Sequence, residues 1–107
     1  MVKVHIINYQ RIQKDCFWDY NFSNEDISKL ASSVNSRERN FLFQKILLNS
    51  TNMFSDLKIF DIDVLSELLE NYNVPEFNYN YTFKRKNMAE IYFFNKPVLV
   101  NELKWIA

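Results

Sequence analysis

RERNFLFQKILLN, residues 37–49, is the stretch whose reading decides the fold. A charged first turn is followed by Phe41, Leu42, Phe43, Ile46, Leu47 and Leu48. Phe43, Ile46 and Leu47 recur at helical spacing and share one face, and Leu42 and Leu48 widen it. This is the expected central helix, with Ser36 as its N-cap. NSTN, residues 49–52, should end it, because such side chains compete for backbone hydrogen bonds.

The segments on either side repeat the pattern. In residues 23–34, Ser23 as N-cap and Asp26 three residues on come close to a capping box, and Glu25 and Asp26 suit the positive end of the helix dipole. Ile27, Leu30, Ala31 and Val34 then form one stripe. In residues 62–72, with Asp61 as cap, Leu65, Leu68, Leu69 and Tyr72 share a face and Pro75 closes the segment. Residues 84–94, KRKNMAEIYFF, read as a helix with Met88, Ile91 and Tyr92 inward, ended by Pro97.

The remaining segments stay open between alternatives. Residues 2–17 carry a helical stripe at His5, Tyr9, Ile12 and Cys16, while Val2, Val4 and Ile6 alternate as in a strand; the helix is preferred. Residues 76–83, EFNYNYTF, alternate like a short strand or form a loop feeding a helix. The tail holds room for a one-turn helix at Asn101–Trp105. The expected fold is mostly α: a single compact domain of four to five short helices, with a minor strand pair allowed from the N-terminus and residues 77–83.

Composition narrows the function classes. The 107 residues suit one domain, and ten Phe, six Tyr and two Trp supply a core. Thirteen basic and thirteen acidic residues leave no formal charge, against the basic excess that nonspecific nucleic-acid binding needs. Glycine is absent, so the Walker and dinucleotide-binding fingerprints are excluded as written, and Asn is expected to take the left-handed cap role of Gly. One Cys and one His give no disulfide and too few soft ligands for a zinc site. No cofactor or metal is expected. No stretch matches a secretory leader or a membrane span, so a cytoplasmic protein is expected.

KDCFWDYNFSNEDI, residues 14–27, is the densest mixture of acids and aromatics. Asp15 and Asp19 are spaced to share a helix face as an acid/base pair would. The capping role of Glu25 and Asp26 and the core role of Phe17, Trp18, Tyr20 and Phe22 form the simpler account. Asp19 is expected to accept hydrogen bonds from nearby backbone N–H groups. Cys16 is read as a packed thiol rather than a nucleophile, since no base lies near it in sequence. Lys84, Arg85 and Lys86 form the densest basic run, either a solvated first turn, a protein-contact edge or an RNA contact. Tyr92, Phe93, Phe94, Trp105 and Ile106 load the C-terminal quarter with apolar surface, as core or as a partner patch.

Phe17, Trp18, Asp19, Tyr20, Asn21, Glu25 and Asp26, followed by Arg85, Lys86, Asn87, Tyr92 and Phe93, carry a resemblance. Over about residues 10–95 the chain resembles small bacterial proteins encoded beside nucleotidyltransferase-type toxins of the abortive-infection class. It departs from them at Asn21, where an acid is common. The resemblance implies a protein partner, such a toxin, and carries over no catalytic residue. The resulting expectation is a non-enzymatic, antitoxin-like binding protein that contacts its partner through Trp18, Asp19, Tyr20, Lys84, Arg85, Lys86, Tyr92 and Trp105. The alternatives are a small nucleic-acid-binding regulator and a phage-defence or counter-defence inhibitor.

Overall fold

The computed structural model describes residues 7–97 and Leu99. The central element forms where the apolar pattern places it. This helix, α3 (Ser36–Asn49), buries Leu42, Phe43, Ile46 and Leu47 completely. Side chains of this kind contribute roughly 1.5–3 kcal/mol each when removed from water. Ahead of α3 come α1 (Tyr9–Cys16) and α2 (Asn24–Ser32); after it come α4 (Met53–Asp56), a 3-10 turn (Leu57–Ile59), α5 (Ile62–Asn71) and α6 (Tyr79–Phe94). α1, α2, α4, the 3-10 turn and α6 all pack on α3, and α5 packs on α6. One core results, running from Ile12, Cys16 and Phe17 through Ile27 and the α3 stripe to Leu57, Leu65, Leu69 and Ala89.

The mostly α single domain matches the sequence reading, with three corrections. First, the described residues contain no strand: residues 79–83 are the opening of α6, and residues 1–6 lie outside the described residues. Second, α4 and the 3-10 turn occupy a stretch to which the sequence reading assigned no element; Asn52 caps a short turn there, its side chain accepting from Ser55 N–H. Third, α2 stops at Ser32, so Val34 leaves the stripe and stands 98% exposed. Helix starts shift slightly as well. Asn35, not Ser36, caps α3 by accepting from Arg37 N–H, and Asp61 occupies the N-cap position of α5 without a side-chain cap bond.

The Ser23 capping box forms in full. Its hydroxyl accepts from Asp26 N–H at 3.2 Å and its own N–H donates to Asp26 Oδ2 at 2.9 Å. Asn replaces Gly as expected: Asn78 and Asn95 are the described residues with positive φ, at 56° and 52°, flanking α6. Asn tolerates this region because its short polar side chain keeps the steric cost low. No described helix is long and apolar enough to cross a membrane.

Candidate functional site

Trp18, Asp19 and Tyr20 stand in the turn after α1, where helix geometry has ended and side chains are free to point outward. Trp18 is 79% exposed, so it belongs to the surface and not to the core expected of it. Tyr20 is 41% exposed and one of four clustered rings: its centroid lies 5.6 Å from Phe17, 5.1 Å from Phe22 and 6.0 Å from Phe41. Phe17 anchors that cluster in the core. Asp19 is exposed and accepts no hydrogen bond from a described residue, contrary to expectation. The turn supplies its bond elsewhere, from Tyr20 N–H to Phe17 O at 2.9 Å. Asp15 and Asp19 do not share a helix face, since α1 ends at Cys16.

Asp15 instead accepts from Thr51 N–H at 2.9 Å and Thr51 Oγ1 at 2.7 Å, and those bonds hold its pKa below the ordinary carboxylate value. It is one part of a polar clasp around residues 47–52, where α3 ends. Asp56, fully buried, accepts from Arg11 Nη2 at 2.6 Å and Nε at 3.1 Å, and from Ser50 Oγ at 2.5 Å. The Asp56 carboxylate raises the Arg11 pKa through this bond. From α6, Arg85 donates to the carbonyls of Leu47 and Ser50, the latter at 2.8 Å, and Tyr81 Oη donates to Leu48 O at 3.0 Å. These donors satisfy carbonyls that a helix end leaves without an intrahelical partner.

The basic run is therefore largely committed within the fold. α6 begins at Tyr79, so Lys84, Arg85 and Lys86 are mid-helix and half-buried rather than a solvated first turn. Lys86 Nζ pairs with Glu90 at 3.0 Å, four residues on. Asn87, fully buried, donates to Pro97 O at 3.1 Å and accepts from Leu99 N–H at 2.8 Å, tying the chain after α6 back to the helix.

Tyr92 is 53% exposed, not inward, because the buried face of α6 runs through Thr82 and the small Ala89. Its ring stacks on Phe54 at 4.4 Å with planes 17° apart, and Lys58 Nζ lies 6.0 Å from it. Tyr92 and Phe93, with Phe60, Ile62 and Leu65, line a hollow of about 560 Å³ whose charged members are Lys58 and Asp61. Trp105 lies outside the described residues. Sequence reasoning missed Arg11, Ser50, Thr51, Asp56 and Tyr81 and gave Asp15 a different role; apart from Ser50 and Asp56, the bonded partners lie more than thirty residues apart along the chain.

Cys16 is buried, and burial pushes its thiol pKa up to about 12, so the reactive thiolate is not populated near neutral pH. Among the described residues no group of three or more His, Cys, Asp and Glu is placed to hold a metal ion. The exposed aromatics are what the surface offers chemically: Trp18 and Tyr20 at one place, Tyr92 at another, and Phe77, Tyr79 and Tyr81 around the start of α6. Comparison with protein-family models, with curated proteins and with solved structures found no match.

Proposed function

We propose that the chain is a non-enzymatic protein-binding partner, an antitoxin-like regulator of a nucleotidyltransferase toxin that works in the bacterial cytoplasm by covering a surface of that toxin. The observation that carries protein binding is Trp18, 79% exposed beside the ring cluster of Tyr20, Phe22 and Phe41. Large aromatics held on a rigid base are the residues that anchor protein interfaces. The resemblance of the Phe17–Asp26 and Arg85–Phe93 elements supplies the identity of the partner. Commitment of Arg85 and Lys86 to partners within the fold weighs against the nucleic-acid reading built on that run.

Co-expression with the product of the adjacent gene tests the proposal. A complex stable at micromolar concentration and rescue of growth are expected. Trp18→Ala should weaken the complex at least about tenfold with an unchanged melting temperature. Absence of both complex and rescue sinks the reading.

A further inference from the structure

Positions 37, 41, 45 and 48 fall on one side of α3 and carry Arg37, Phe41, Lys45 and Leu48. Lys45 Nζ lies 5.2 Å from the Tyr20 ring centroid and 5.8 Å from that of Phe41, and no described carboxylate forms an ion pair with it. Phe41 also forms one wall of a shallow depression of about 450 Å³, shared with Arg37 and Gln44 and, at and just beyond the end of α5, Asn71, Tyr72 and Asn73. That lining holds one cation, amide side chains and two rings, and no carboxylate.

Because Phe41 belongs to both features, they form one continuous strip from Tyr20 and Lys45 to Arg37 and Tyr72. The depression's lining holds no carboxylate, and among the described residues neither Arg37 nor Lys45 forms an ion pair, so this side of α3 presents two cations without a counter-charge. Of the acids nearest in sequence, Glu38 accepts from Ser33 Oγ toward the end of α2, Glu70 lines a separate hollow with Ser66, Leu69 and Asn87, and Asp19 is exposed in the turn next to Tyr20.

We propose that this strip is the docking surface for an acidic segment of a protein partner. Three features select that occupant. Lys45 and Arg37 complement carboxylates. The amides of Gln44, Asn71 and Asn73 both donate and accept, as peptide groups do. The rings of Tyr20, Phe41 and Tyr72 give apolar contact between the charges. Two cations are few for a nucleic acid, whose affinity comes mainly from phosphate neutralisation. The proposal rests on the protein-binding reading above and assigns it a surface.

A short peptide of alternating Glu and Tyr, titrated into the isotope-labelled chain and followed by amide chemical shifts, tests it directly. Shifts should gather around Phe41, Gln44 and Lys45, and affinity should fall as salt is raised. Lys45→Glu should weaken binding at least about tenfold, while Lys45→Arg retains it; a thermal melt confirms that both variants fold. The proposal is overturned by shifts elsewhere, by no binding, by an affinity that Lys45→Glu leaves unchanged, or by an oligouridylate binding more tightly than the peptide. Failure here alongside a surviving complex with the neighbouring gene product moves the interface off α3; loss of the complex removes the protein-binding reading itself.

Discussion

Asp56 is where three segments meet: Arg11 from α1, Ser50 from the end of α3, and its own place in α4. A buried carboxylate is tolerable only because both oxygens are occupied by a guanidinium and a hydroxyl. Asp56→Asn leaves Arg11 without its counter-charge in a half-buried position, and should cost about 3–5 kcal/mol. Urea denaturation measures this, and a loss below about 1 kcal/mol would mean the pair is no stronger than a surface one. The sequence does not signal the burial of Asp56, because the guanidinium that balances its charge stands 45 residues away. Asp19 is the reverse case: flanked by rings, it read as an acceptor of nearby backbone N–H groups, but it stands exposed with Trp18 and Tyr20.

At the scale of elements, a chain without glycine has made asparagine its punctuation. Asn8, Asn35 and Asn52 cap α1, α3 and α4 through their side chains, and Asn95 ends α6 in the left-handed region. Helices with a broad leucine or phenylalanine face were legible, since α3 and α5 match their apolar spacing closely. The start of α6 was not, because EFNYNYTF alternates polar and apolar residues at period two. The decisive spacing is Tyr79 to Phe83, four apart, whose rings stack at 5.6 Å. The capping box of α2 was fully legible because both partners lie within one turn. Ser23→Ala should destabilise the protein by about 1 kcal/mol, visible as a fall in melting temperature of about 4–8 °C. An unchanged melt would mean that α2 is held by Ile27 and its neighbours alone.

At the scale of the whole molecule, the apolar core followed from periodicity, whereas the clasp around residues 47–52 could not, because it joins α1, α4 and α6 through single polar residues. It also makes stability depend on pH in a defined direction. Thr51 depresses the Asp15 pKa in the folded chain, so the bond contributes fully above the ordinary carboxylate value of 3.8 and is lost as pH falls through the lower folded value. The stability gap between the wild type and Asp15→Asn should stay constant from neutral pH down to about 4 and shrink below it. Denaturation midpoints of both proteins along an acid series check this; a gap that persists into strong acid would exclude Thr51 as the source.

The same clasp joins residues that are made far apart in time during synthesis. Arg11 emerges first and waits 45 residues for Asp56, and Ser50 O waits 35 residues for Arg85. The apolar seam between α2 and α3 is sealed from neighbouring sequence and needs neither. Until α6 is made, the carbonyls of Leu47, Leu48 and Ser50 lack their side-chain donors from Arg85 and Tyr81 and have water as the alternative partner. α6, the last helix among the described residues, brings the Tyr81 and Arg85 donors that replace that water.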